Sequence, residues 1–268
     1  MSEELHSRGV ATDIMRNSIA LAEINGGNVI AKGDLDFCLF LDKDKYMSQM
    51  LEKSGVRLFN SARAIELCDD KMQTHITLAN NGIPMPQTLG GLLCYFDDSK
   101  TDKNELDYVQ NKLGFPLIVK LAYGSMGKSV FKADNRKQLD ELAERVKMQP
   151  HLFQKYIDKS HGKDMRVIVI GGRTVGAILR MSNGDFRSNI GLGGTAKKVD
   201  VPKEISDLAE KAANILGLDY CGIDFLLGDT PLLCEVNSNA FFDAFENVTG
   251  INVAAIYAEH IIDKMTRT

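Results

Sequence analysis

The chain has 268 residues, with 32 Lys+Arg against 36 Asp+Glu and a formal charge of -4. Apolar residues make up 44% and charged residues 25%, which suits a globular protein with a substantial core. This excludes a disordered, collagen-like or low-complexity chain, and the near-balanced charge gives no sign of a nucleic-acid binder.

No apolar run is long enough to span a bilayer. The polar N-terminus MSEELHSRGV is unlike a signal peptide. Five cysteines, odd in number and without a CxxC pair, read as reduced core thiols. The expectation is a cytoplasmic protein without membrane contact.

In chain order, the first 60 residues alternate short strands and helices. The apolar run 36–41 (DFCLFL) suits a buried parallel strand. Helical spacing over 43–54 stops at Gly55, and 56–59 is a second short strand. Ser61 caps one helix and Asp69 or Asp70 the next, which ends near Asn81-Gly82 before Pro84 and Pro86 force an extended exit.

A polar loop over 97–105 precedes a helix ending near Leu113. Strands follow at 115–120 and 129–133, then an amphipathic helix at 136–148 and a strand at 151–157. Residues 165–181 form a hairpin turning at Gly171-Gly172. A helix spans 201–216, a last hairpin 221–237, and a C-terminal helix starts near Asn252. The sum is an α+β chain: a small α/β part, then a mostly antiparallel remainder.

The last hairpin, CGIDFLLGDTPLLCEVN, carries the clearest chemistry. With the loop at Gly228-Asp229-Thr230-Pro231, Leu227 faces Leu232, Leu226 faces Leu233, Phe225 faces Cys234, and Asp224 faces Glu235. Asn237 then shares the face of Glu235. Two carboxylates about 5 Å apart repel by ~3 kcal/mol at an effective dielectric near 20. A sheet tolerates such a pair when a cation sits between them, and oxygen donors alone suit magnesium or manganese.

Residues 122–129, AYGSMGKS, match a relaxed P-loop pattern ending in Lys128 and Ser129. A P-loop must open a helix there, whereas the following SVFKADN reads as a strand. The better reading is a strand–loop–strand flap. Its Gly124 and Gly127 let backbone approach an anion, and Lys120 points inward from the preceding strand.

Together, DKMQTHITLANNGIPMPQT, PLIVKLAYGSMGKSV, FQKYI, DMRVIVIGG, DFRSN, GIDF and EVN resemble the ATP-grasp superfamily, and within it the RimK-type amino-acid ligases, often named α-L-glutamate ligases. The likeness covers about residues 60 to 260. It implies an ATP-grasp fold of two α+β subdomains clasping ATP, behind a small α/β pre-ATP-grasp domain. The division would be 1–85 for that first domain and 86–268 for the ATP-grasp domain, with a lid subdomain at about 86–155 and a metal-binding subdomain at about 156–268. The chain opens near the family's first helix, so the first sheet either lacks an edge strand or has another element in its place.

The resemblance also implies an ADP-forming ligase. ATP phosphorylates a carboxylate, and an amine, such as that of glutamate, attacks the acyl phosphate. The acceptor would be a protein C-terminus, a peptide or a small molecule, and the assembly a homo-oligomer. Carried over by position, Lys71 and Lys120 would contact ATP phosphates. Lys155 and Tyr156 would flank adenine, and Asp164 the ribose. Arg187, Ser188 and Asn189 would reach phosphates, with Arg187 and Asn189 near the reacting groups. Asp224, Glu235 and Asn237 would hold magnesium or manganese. The five histidines carry no site signal.

Several positions differ from the family pattern. Ile190-Gly191-Leu192-Gly193-Gly194 stands where the family has His-Arg-Gly-Gly, and Ser238-Asn239-Ala240-Phe241-Phe242 where it has Ser-Pro-Gly. Lys155 replaces an acidic residue. Phe241, Phe242 and Phe245 read as core. The alternative these differences raise is a nucleotide-binding scaffold without turnover.

Overall fold

The computed structural model describes residues 1–96, 98–125, 127–188 and 193–267. The chain opens with α1 (Ser2–His6), then β1 (Ala22–Asn25) and β2 (Asn28–Ala31). These two strands pair as a separate hairpin around Gly26-Gly27, both at positive φ. The sequence reading passed over this hairpin because its strands are polar and mostly exposed. β3 (Phe37–Leu39), α2 (Lys45–Lys53) and β4 (Arg57–Phe59) follow, and β3 pairs in parallel with β4 as expected. Among the described residues this sheet has two strands.

Ser61 caps α3 (Ala62–Asp69) by accepting from the Ala64 N–H. Asp70 caps α4 (Lys71–Leu78) through Met72 and Gln73. Each cap satisfies amides that the first helical turn leaves without partners. These caps place Lys71 at the first position of α4.

β5 (Thr88–Gly90), α5 (Lys103–Leu113), β6 (Leu117–Leu121), β7 (Val130–Ala133), α6 (Arg136–Val146) and β8 (His151–Lys155) build the middle of the chain. Their strands form an antiparallel sheet in the order β5-β8-β6-β7. α5 and α6 cover one face through Leu106, Val109, Leu139 and Ala143. A strand, not a helix, follows Lys128, so the P-loop reading is excluded and the strand–loop–strand reading stands.

A second antiparallel sheet combines β9 (Lys163–Ile170), β10 (Arg173–Met181), β11 (Thr195–Val199), β12 (Tyr220–Leu227) and β13 (Pro231–Asn237) in the order β11-β10-β9-β12-β13. The β9–β10 turn is Gly171-Gly172, both at positive φ, as a two-residue hairpin turn with this twist requires. α7 (Lys203–Leu216) lies between β11 and β12, while α8 (Asp243–Thr249) and α9 (Val253–Thr266) close the chain.

Alternation along the strands gives this sheet two unlike faces. One face, with Val167, Val169, Ala177, Ile223, Phe225 and Val236, packs on α3, α4 and α7. The other carries Ile168, Ile170, Ile178 and Tyr220 beneath α8 and α9. Further along the same face stand Asp164, Arg166, Arg180 and Asp224, beyond the apolar cover. The first core crosses the boundary expected at residue 85, since Ala64, Cys68, Leu78 and Ile83 pack with α7 and β12. Phe242 and Phe245 join the second core, whereas Phe241 is 75% exposed, against expectation.

The β12–β13 register corrects the expected one. The loop is Gly228-Asp229-Thr230, so Leu227 pairs with Pro231, Leu226 with Leu232 and Phe225 with Leu233. A bulge at Cys234 then shifts the ladder, and Asp224 pairs with Glu235. The carboxylates do face each other, but the bulge brings this about rather than a longer loop.

Asp219, just before β12, accepts from His260 Nε2 at 2.7 Å and Lys264 Nζ at 2.5 Å, both on α9. Burial alone would raise its carboxyl; these two hydrogen bonds more than offset that and hold it below the ordinary carboxylate value. A carboxyl depressed in the fold contributes stability above its unfolded pKa of about 3.9 and loses it as pH falls through the lower folded value. Asp219→Asn is therefore expected to cost ~1–3 kcal/mol at pH 7. It should also flatten the loss of stability below about pH 4. Denaturant melts of both proteins across pH 2.5–7 measure the two effects.

Candidate active site in the cleft between the sheets

The uncovered faces of the two large sheets line a cleft that is open to solvent. Ile118, Val130, Ile157, Phe186 and Leu226 give it apolar walls. The linker after β8 supplies Lys155 and Tyr156 to this wall. Tyr156 hydrogen-bonds through its hydroxyl to His161 Nδ1, and its ring meets Phe186 edge-on, centroids 6.5 Å apart.

On the floor, β9, β10 and β12 assemble a charge lattice. Arg166 Nε and Nη2 each donate to Asp224 at 2.7 Å. Arg180 grips both oxygens of Asp164 at 2.7 and 2.6 Å and reaches Asp224 Oδ2 at 2.9 Å. Arg180 is 4% exposed, so its ion pairs are buried ones. Burial alone would raise the Asp224 carboxyl; the two arginines overcome this and hold it below its ordinary value. The charges on the floor cancel in pairs, which is what makes their burial tolerable.

Glu235 stands opposite Asp224 because of the bulge. Without the extra residue, Asp224 would pair with Cys234, and Glu235 with Ile223 on the core face. The bulged residue is held on two sides. His75, one turn after Lys71 on α4, donates from Nε2 to the Cys234 carbonyl at 3.3 Å, which requires the Nε2–H tautomer. Lys120 Nζ reaches Cys234 Sγ at 3.4 Å and Gln154 Oε1 at 2.7 Å. Burial, then the charge of Lys120, push His75 down to about 4, so it is neutral at pH 7.

Lys71 lies 3.6 Å from Glu235 and donates to the Gly124 carbonyl at 2.7 Å. It is 6% exposed, and burial lowers its pKa. From the other side Arg187 Nη1 donates to the Gly127 carbonyl at 2.7 Å, while Asp185 orients its guanidinium. Both flap glycines have positive φ, and a Cβ on Gly124 would come within 2.6 Å of Ser129 Oγ. Ser188 is buried along the same wall.

The structure therefore brings Lys71, Lys120, Gly124, Gly127, Lys155, Tyr156, Asp164, Arg187, Ser188, Asp224 and Glu235 around one cleft. Asn189 and Leu192 lie outside the described residues. Asn237 ends β13, two residues beyond Glu235, and its Nδ2 is buried without a hydrogen-bond partner. Turning that amide over puts an oxygen acceptor where the orphan donor stands, which fits an oxygen ligand to a cation. Among the described residues no three His, Cys, Asp or Glu side chains form a metal cluster. The donor set is thus two carboxylates and an amide, which suits a hard cation that takes its remaining ligands from phosphate and water.

Four contributors were missed or underrated: Arg166, Gln154, His75 and His161. Arg166 had a signal, a lone cation inside the apolar strand MRVIVI. Gln154 and His75 are placed only by strand order and helix docking, while His161 meets Tyr156 through the short turn that follows β8. Arg180→Met is expected to cost ~3–5 kcal/mol, since it leaves Asp164 buried without its partner; thermal melts of the variant check this.

The RimK-like ATP-grasp domain family matches residues 68–261. N-acetylaspartylglutamate synthase A from Homo sapiens is 39% identical over 225 residues, covering 82% of this chain and 56% of that protein. A probable alpha-L-glutamate ligase from Serratia proteamaculans is 35% identical over 217 residues, 80% of this chain and 70% of that one. The chain spans about half the length of the first of these relatives. In structure it resembles a RimK domain ATP-grasp protein from Sphaerobacter thermophilus, with a TM-score of 0.74 at 19% identity over 96% of this chain and 92% of that one. Two α+β sheets facing across a cleft, the flap over it and the match over most of the chain agree: this protein has the ATP-grasp fold and belongs to the RimK-like ATP-grasp family.

Proposed function

We propose that the chain is an ATP- and magnesium-dependent carboxylate–amine ligase that adds an amino acid, with glutamate the first choice, to an acceptor carboxylate and releases ADP and phosphate. The observation that carries this reading is the cleft floor. Paired carboxylates and an orphan amide stand beside buried cations, beneath a glycine flap, in a RimK-like chain. Glutamate is favoured because it is shared by the names of both relatives.

The division of labour is carried over from the family by position, and the shared cleft supports it. Lys155, Tyr156 and the apolar walls would hold the adenine, with Asp164 toward the ribose. Lys71, Lys120, Arg187 and Ser188 would meet the phosphates, displacing the flap carbonyls that Lys71 and Arg187 now hold. Asp224, Glu235 and Asn237 would hold magnesium or manganese, which when bound would neutralise phosphate charge and align the transferred group. Arg166 and Arg180 keep Asp224 ionised and oriented. Arg187, and Asn189 by family position, would face the reacting carboxylate. Cations converging on developing phosphoryl charge supply the catalysis, so no protein nucleophile is needed. The division at residues 86–155 and 156–268 belongs to the same reading, the first part acting as the lid.

Incubation with ATP, magnesium, glutamate and N-acetylaspartate or a fractionated extract tests this. ADP and phosphate formed only when amino acid and acceptor are both present support it; AMP and pyrophosphate overturn it. Asp224→Asn and Glu235→Gln are each expected to lower turnover by ~10²–10³-fold. Lys120→Ala should do likewise, whereas Lys128→Ala, which alters the false P-loop lysine, should leave most of it.

A further inference from the structure

Asn60 packs against the end of the hairpin that carries the proposed cation site. It follows β4 directly, is 2% exposed, and makes four hydrogen bonds. Its Nδ2 donates to the carbonyls of Tyr220 at 2.8 Å and Ser238 at 2.9 Å. Its Oδ1 accepts from the N–H groups of Asp219 at 2.6 Å and Tyr220 at 3.0 Å. Every partner lies just past the end of the β12–β13 ladder, whose last pair is Gly222 with Asn237. The amide thus stands in for the next rung and ties the start of β12 to the residue after Asn237.

Only an amide presents two donors and a doubly accepting oxygen in this fork. An aspartate would turn a carboxylate oxygen toward two carbonyls, and an alanine would leave two carbonyls and two N–H groups buried without partners. Asn237 needs such an anchor. It is the last residue of an edge strand, and its Nδ2, buried without a partner, makes no hydrogen bond that would fix the direction of the amide.

We infer that Asn60 is a positioning residue for Asn237: by clamping the Ser238 carbonyl to the start of β12, it aims the Asn237 amide at the cation shared with Asp224 and Glu235. This rests on the ligase reading above. It gives Asn60 a part in the site although its own contacts lie at Asp219, Tyr220 and Ser238.

A double-mutant cycle over Asn60→Ala and Asn237→Ala, read by calorimetry of ADP binding with and without Mn²⁺, tests the inference. Asn60→Ala is expected to weaken the Mn²⁺-dependent part of ADP binding about tenfold, the lower end for residues that orient ligands. Metal-free ADP binding should change less than about twofold, and in the Asn237→Ala background Asn60→Ala should add almost nothing. If Asn60→Ala does not fold, Asn60→Ser takes its place in the same cycle. Equal weakening with and without Mn²⁺, or effects that multiply in the double variant, would show a purely structural role and overturn the inference. Wild-type protein that binds ADP no better with Mn²⁺ would overturn the ligase reading and this inference together. Wild-type binding that improves with Mn²⁺ and is unchanged by Asn60→Ala overturns this inference alone.

Discussion

A single extra residue in β13 decides which side of the sheet Glu235 stands on. Side chains in a strand alternate, so one slip in register moves a carboxylate from the cleft to the apolar core. The three-residue loop after β12 starts the ladder in the register that would bury Glu235 beside Ile223. The bulge at Cys234 corrects it after three rungs. The cost is a carbonyl and a thiol outside the ladder, and His75 and Lys120 contact these. The carboxylate pair therefore depends on α4 and β6 docking against the edge of a sheet to which neither belongs.

The floor beneath it follows a second constraint, electrical neutrality. Asp164, Arg166, Arg180 and Asp224 alternate in sign across three neighbouring strands, and each carboxylate faces at least one guanidinium with two matched oxygens. Charges this buried are tolerated only when paired. The pairing also keeps Asp224 ionised with lone pairs to spare, since each oxygen retains acceptor capacity beyond its arginine bonds. A rigid, ionised carboxylate is a better partner for a phosphate-bound cation than a mobile surface one.

Above the floor, the flap is held by cations to which the proposed function gives another use. Lys71 and Arg187 reach in from opposite sides and spend their charge on the Gly124 and Gly127 carbonyls. Carbonyls are weaker partners for these groups than phosphate oxygens, because a full negative charge makes a shorter, stronger hydrogen bond. Positive φ at both glycines gives the loop the freedom to change partners without steric penalty. In the proposed ligase, flap position and phosphate contact would be linked through the same two side chains.

Much of this was legible from the residues alone. Caps at Ser61 and Asp70, the Gly171-Gly172 turn and the strand after Lys128 follow from local rules, and the structure keeps each of them. The carboxylates of the last hairpin, the lysine ending β6 and the flap glycines stood out because charge or glycine interrupts an apolar pattern. The β1–β2 hairpin was missed because its strands bury almost nothing and so lack an alternating signal. Arg166 was underrated, and His75, Gln154 and Asn60 passed unseen, because their partners lie tens to more than 150 residues away in sequence. The sequence by itself determined the α+β class, the family and the chemical character of the cleft, since these reside in residue type and short-range spacing. Only the tertiary structure decided that Glu235 joins Asp224 through a bulge, that two arginines hold the floor neutral and that an N-terminal amide clamps the end of the hairpin. Each of these depends on which distant strands and helices become neighbours, and no local pattern carries that information.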